Sequence, residues 1–163
     1  MENYEINSDT LAILPISKNM SRVIEGEYEF IVQKSPTEII DHSCKYFGSS
    51  YKGRYVGSKY ILGLNYKLPI LIEETRDIIF FPTESTRVIT CSWIAFKQIE
   101  NMKQLDNIST ITFRNGRELT IDISLGSLKN QFIRSTMLKE ANIKRRKISK
   151  NKLKAYFLSN FMI

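Results

Sequence analysis

The four residues Ser35-Pro36-Thr37-Glu38 divide this chain into two kinds of sequence. A serine before a proline, with glutamate three residues after the serine, is a helix start. The serine caps, the proline sits where a missing N–H costs nothing, and the glutamate reaches back to the cap. Ile39, Ile40, Ser43, Cys44 and Phe47 follow at helical spacing, and Gly48 supplies the stop. Before that start, "YEI", "TLAILPI", "SRVIE" and "EYEFIVQK" are short, β-branched and aromatic runs broken at Ser8-Asp9, Lys18-Asn19 and Gly26. They predict strands.

Beyond the helix, strand is expected for "KYILGL", "LPILIEE", "DIIFFPT" and "RVITCSWIAFKQI", with "ENMKQLDN" as a loop. "STITFRNGRELTIDIS" is the clearest hairpin, because Asn115-Gly116 suits a tight turn between two alternating strands. From Ser127 the spacing of Leu128, Phe132, Ser135 and Leu138 turns helical, and Leu153, Phe157 and Phe161 predict a final helix. The expectation is a single α+β domain of mostly antiparallel strands. One helix precedes a glycine-rich loop, and further helices lie near the C-terminus.

The 163 residues suit one domain with a core of its own, and no apolar run is long enough to predict a membrane span. The acidic, polar start "MENYEINSD" is not a secretory signal, and two cysteines are too few for a disulfide framework. Reduced thiols in a cytoplasm are the expectation.

The net charge of +7 is unevenly placed. Met1 to Leu138 carries sixteen basic and sixteen acidic residues, whereas Lys139 to Lys154 carries eight basic residues and only Glu140 as an acid. Between Asp41 and Glu73 no acid occurs, while Lys45, Lys52, Arg54, Lys59 and Lys67 alternate with five tyrosines. Localised positive charge attracts polyanions; a solvated basic face is the plainer alternative.

That second window contains "FGSSYKGRYVG", with three of the seven glycines. Gly48 and Gly53 have the spacing of a nucleotide-binding loop, but Arg54 and Tyr55 stand where its lysine and hydroxyl are needed. Such a loop also opens a helix, whereas this one follows a helix. His42 and Cys44 point about 200° apart on a helix and cannot share a metal or form a nucleophile–base pair. Glu73, Glu74 and Asp77 read as solvated turn residues. No catalytic constellation and no cofactor is expected. Nor does any segment resemble a helix-turn-helix, a zinc finger or an RNA-recognition motif. What remains is a turn whose amides, serines, lysines and arginine can follow a sugar–phosphate backbone, with tyrosines able to stack on bases. The terminal "AYFLSNFMI" fits a helix docked on its own domain, a subunit interface, or a membrane-surface helix beside basic residues.

Longer stretches carry a resemblance. "IIDHSCKYFGSSYKGRYVG", "PILIEETRDIIFFPTESTR", "CSWI", "TFRNGRELTIDIS" and "NQFIRSTML" are similar, in order and approximate spacing, to the ComK family of competence transcription factors. The resemblance runs from Tyr4 to about Leu138. It implies an activator of DNA-uptake genes that binds double-stranded AT-rich boxes, largely through the minor groove, as dimers that associate into tetramers. It also implies contact with RNA polymerase and turnover by an adaptor-directed Clp protease. The match fades after Asn142, where longer members carry activation and adaptor functions, so it speaks to DNA binding rather than to those.

The expected organisation is a DNA-binding α+β domain over 1–142 and a basic segment with an apolar terminal helix over 143–163. The DNA contacts expected are Lys45, Ser49, Ser50, Lys52, Arg54, Lys59, Arg87, Arg145, Arg146 and Lys147, with Lys52 and Arg54 foremost. The expected location is cytoplasmic and nucleoid-associated. Two alternatives stay open: a DNA-binding paralogue that activates weakly, and a non-enzymatic protein whose basic tail meets an acidic partner or membrane surface.

Overall fold

Short runs such as Ile70-Leu71-Ile72 and Ile78-Ile79-Phe80-Phe81 have no polar alternation because this part of the sheet is covered on both faces. The computed structural model describes residues 1–161. Its first sheet has six strands: β1 (Thr10–Ser17), β2 (Met20–Glu25), β3 (Tyr28–Val32), β4 (Ile70–Glu73), β5 (Ile78–Pro82) and β6 (Trp93–Ala95). They lie in the order β3-β2-β1-β6-β5-β4 with antiparallel pairing throughout.

Alternate residues serve opposite cores. Ile70, Ile72, Ile78, Phe80 and Trp93 join Ile39, Ile40 and Cys44 of helix α1 (Pro36–Tyr46). Tyr51 and Tyr55 of helix α2 (Tyr51–Leu62) seal that cluster, Tyr51 standing edge-on to Trp93 at 6.1 Å between ring centroids. Leu71, Ile79, Phe81 and Ile94 pack on the other side. They meet the second sheet, β7 (Ile99–Leu105), β8 (Ile108–Phe113) and β9 (Glu118–Ile121), and Leu128 and Leu138 of helix α3 (Leu125–Phe161). A register shift between Thr10 and Ala12 places Leu11 and Ala12 together in this second cluster. Burying each such aliphatic or aromatic side chain contributes about 1.5–3 kcal/mol.

The expected α+β architecture is what forms, in one domain. The capping box is complete: Glu38 N–H donates to Ser35 Oγ and Ser35 N–H to the Glu38 carboxylate, each at 3.2 Å. The Asn115-Gly116 hairpin joins β8 to β9, with Gly116 at φ 88.

Several expectations are corrected. The glycine-rich stretch is a loop only from Phe47 to Ser50; from Tyr51 it is α2, which continues through "KYIL" to Gly63, a left-handed cap at φ 66. Two interior glycines cost a helix about 1 kcal/mol each relative to alanine. Tertiary contacts offset that penalty: Ser58 Oγ donates to Pro69 O at 2.6 Å, and Tyr51 N–H donates to Asp41 Oδ1 at 3.0 Å. "ENMKQL" is strand β7, not loop. It is an edge strand with a bulge between Ile99 and Asn101, which breaks the period of two. In "RVITCSWIAFKQI" only Trp93–Ala95 is β6; a turn closed by Val88 and Cys91 N–H groups precedes it and a 3-10 turn over Phe96–Gln98 follows. "YEI" lies outside the sheet, held by Tyr4 OH on Thr10 and Glu25 and by Ile6 N–H on Ser43 Oγ. The C-terminal helices are one helix of 37 residues, about 55 Å long, without a break at 142/143.

The β4–β5 turn is the largest departure, because Glu73 and Asp77 are not solvated, although Glu74 stays about half exposed. Asp77 is buried in a left-handed conformation (φ 53) and accepts from Asn142 Nδ2 at 2.8 Å and Arg146 Nη2 at 3.2 Å. Glu74 and Thr75 carbonyls accept from the same two side chains. Glu73 folds back on the Thr75 hydroxyl and on the Thr75 and Arg76 N–H groups. Burial alone would raise the Glu73 pKa, but those donors and the Arg76 guanidinium outweigh it and bring it down to about 2.

Two outcomes follow for stability. Asp77→Ala strands the Asn142 amide and the Arg146 guanidinium and should cost about 1–3 kcal/mol in urea unfolding. Because the folded Glu73 pKa lies below its ordinary 4.5, the unfolded chain takes up that proton first. The contribution is complete above that value and is lost as pH falls towards about 2. Glu73→Gln should flatten this acid limb in urea titrations, whereas an unchanged limb would place the dependence elsewhere.

Candidate nucleic-acid interface

The expected contact residues fall into four places. Arg54, Arg145 and Arg146 line one groove of about 370 Å³ between α2 and α3. Lys52 and Lys59, seven residues apart, share the outer face of α2 with Val56 and Tyr60, the latter 82% exposed. Lys147 lies on the exposed side of α3, away from Arg145. Lys45, Ser49, Ser50 and Arg87 sit apart from the groove. Lys45 ends α1 and pairs with Asp41 at 2.9 Å; Arg87 is exposed beside Val88 and Ile89 in the loop between β5 and β6.

Four assignments change character. Ser50 is the cap of α2, so its hydroxyl is already accepting a backbone N–H. Ser49 N–H donates to Cys44 O at 2.8 Å. Arg54 is not a free loop side chain: its Nη1 meets Glu74 at 3.0 Å, only 21% of the side chain is exposed, and its Nε is buried without a partner. Arg146 is likewise committed, to Asp77 and the Thr75 carbonyl. The β4–β5 turn therefore holds two of the arginines expected to face phosphate. Arg145 has no ion-pair partner among the described residues.

The tyrosines also divide. Tyr51 packs on Trp93, Tyr55 OH donates to Asn65 O at 2.8 Å, and Tyr66 lies under the Arg134 guanidinium at 5.1 Å. Tyr46, Tyr60 and Tyr66 remain exposed. His42 meets Glu5 at 3.0 Å rather than a thiol. Burial pushes the Cys44 thiol up to about 12 and raises Cys91 as well, so neither is a ready thiolate. No cluster of three metal-binding side chains occurs among the described residues, and no described helix is long and apolar enough to cross a membrane.

Sequence reasoning missed Val56, Asn142 and Ser149, and it read Glu74 as a turn residue without a partner. It also missed that α1 and α2 are joined by only four residues, Phe47–Ser50, the length of a helix-turn-helix connection. The Ser50 cap and the Gly63 stop were the signals available for α2. The terminal run does not dock on its own domain: Leu153, Tyr156, Phe157 and Phe161 are all more than half exposed. Met162 and Ile163, the end of that run, lie outside the described residues.

An α+β domain with arginine and lysine gathered on two neighbouring helices has the chemistry that attracts polyanions. The chain belongs to the ComK protein family, which it matches over residues 1–147. It is 36% identical over 143 residues to a competence transcription factor of Bacillus subtilis (strain 168), covering 85% of this chain and 74% of that one. No solved structure matches it.

The geometry separates the arginines from the lysines in a stability measurement. Arg54→Ala should cost more than the ~0.5 kcal/mol of an ordinary surface change, because it unpairs Glu74 and opens the α2–β4 contact. Lys52→Ala and Lys147→Gln should stay within that limit. Equal losses at all three positions would refute the division.

Proposed function

We propose that this chain is a competence transcription factor, a non-catalytic activator that binds AT-rich double-stranded DNA boxes. The observation that carries the reading is the 36% identity over 143 residues, beside a family match over 1–147 that takes in α2 and the part of α3 up to Lys147. A narrow, strongly negative A·T minor groove favours inserted arginine and lysine over a base-reading helix, and this chain is rich in both. In this reading the 1–142 region carries sequence preference and the basic part of α3 adds affinity. Self-association into dimers and tetramers is supported by the exposed Leu153, Tyr156 and Phe157. RNA polymerase and a Clp-protease adaptor are the further partners the family implies, in a cytoplasmic, nucleoid-associated setting.

One observation favours a second reading of the groove. The four-residue connection between α1 and α2 leaves Lys52, Val56, Lys59 and Tyr60 exposed along the second helix. That is where a recognition helix carries its base contacts in the major groove.

Inosine·cytosine substitution separates the two. It makes the major-groove edge resemble G·C but leaves the minor-groove edge like A·T, because inosine lacks the guanine N2 amino group. A minor-groove reader keeps most of its affinity for a substituted box and is displaced by a distamycin-type ligand. A major-groove reader loses about 1–3 kcal/mol for each bidentate contact destroyed. Inosine boxes that bind no better than G·C boxes, with no competition by the minor-groove ligand, would overturn the minor-groove assignment. Equal binding to AT-rich duplex, tRNA and anionic vesicles at one salt concentration would overturn DNA recognition altogether.

A further inference from the structure

The α2–α3 groove has two features that nothing inside the chain accounts for. Gly57 sits in the middle of α2, where glycine weakens a helix, yet a Cβ there would meet no atom within 4 Å. Its φ is not in the left-handed range, so neither a turn nor internal packing requires it. The Cβ of a residue at position 53, one turn earlier, would meet little beyond the Ser50 hydroxyl at 3.2 Å. Both glycines line the groove. They keep a helix backbone accessible to something from outside.

The second feature is the charge. Arg54 reaches the groove with its Nε buried and unpartnered, and its one acidic partner is Glu74, itself 53% exposed. Across the groove, Arg145 has no ion-pair partner among the described residues, and Ser149 lies one turn further along α3. A buried N–H without an acceptor is costly, and a half-solvated carboxylate is an easily displaced counter-ion. Two arginines facing across a cleft, a hydroxyl, and glycine backbone on one wall form a cradle for a phosphate group whose substituents leave along the cleft.

We infer that this groove seats a phosphodiester of the DNA backbone between Arg54 and Arg145, with Glu74 as the internal anion it displaces. The inference rests on the DNA-binding reading. It adds a fixed anchor that sets the register of the protein on the duplex and carries no sequence information of its own. Gly57 is required because a side chain there would occupy the space of the incoming strand.

The test measures binding of an AT-rich duplex across a salt series for the full chain and three variants, with thermal melts on the same preparations. Glu74→Gln releases Arg54; it should bind more tightly and steepen the log K against log salt slope by about one. Arg145→Gln should flatten that slope by about one. Gly57→Leu should melt at the same or a higher temperature, since leucine suits a helix better, yet bind about tenfold or more weakly on AT-rich and G·C-rich duplexes alike. A merely structural glycine would not combine a retained fold with lost binding. Parental binding by a folded Gly57→Leu variant, or unchanged slopes for Glu74→Gln and Arg145→Gln, would overturn the groove assignment. Should Gly57→Leu fail to fold, the two surface variants decide alone. If the parent binds no duplex, the DNA reading itself fails; if the parent binds and the variants are indifferent, only the groove does. Inorganic phosphate that displaces the duplex at millimolar concentration would mark a small-anion site and would also overturn the backbone assignment.

Discussion

The β4–β5–β6 part of the six-stranded sheet is buried on both faces, and the rest of the molecule follows from that requirement. Two layers must cover it, so α1 and α2 close one face while the three-stranded sheet and α3 close the other. The β4–β5 turn lies where both layers reach the sheet edge. Its acids answer to both: Glu74 takes Arg54 of α2, and Asp77 takes Asn142 and Arg146 of α3. A left-handed Asp77 is tolerable because a short carboxylate can be satisfied locally by the partners it meets there. Removing a partner from such a buried pair costs more than the pair contributes, which makes this turn the joint of the fold.

That joint also sets a conflict with charge. Seen as a string of residues, the region from Asp41 to Glu73 is uniformly basic, and Glu73, Glu74 and Asp77 are distant punctuation. Folding brings the punctuation beside the basic residues and neutralises part of them. Among the expected contact residues, the cations left without an ion pair among the described residues are Lys52, Lys59, Arg87, Arg145 and Lys147. Of these, only Arg145 lines the groove.

What was legible follows local chemistry. The capping box at Ser35 and the Asn115-Gly116 turn are each complete within four residues, and both formed where expected. The start of α2 was not legible, because its determinants are split. Ser50 caps it, but Asp41, ten residues earlier, accepts the Tyr51 N–H, and Trp93 supplies the surface on which Tyr51 packs. Glycines at 53 and 57 then argued against a helix that only these distant contacts sustain. β7 was hidden for another reason: it is an edge strand with a bulge, so most of its side chains face solvent and the alternation is lost. Among the contact residues, sequence reasoning found the charges that share the groove. It could not see which of them the acids had taken.

The continuity of α3 links these parts mechanically. Gln131, through the Lys67 and Pro82 carbonyls, and then Asn142 and Arg146 hold its first two-thirds to the sheet. Beyond Ser149 every described residue is exposed, and Leu153, Tyr156, Phe157 and Phe161 extend the side that faced the core. A segment of about twelve residues is marginal as an isolated helix, so its order depends on the anchored turns before it and on whatever covers its apolar side. Because Arg145 and Ser149 stand on the last anchored turns, a load on the exposed segment acts through the same helix that forms one wall of the groove.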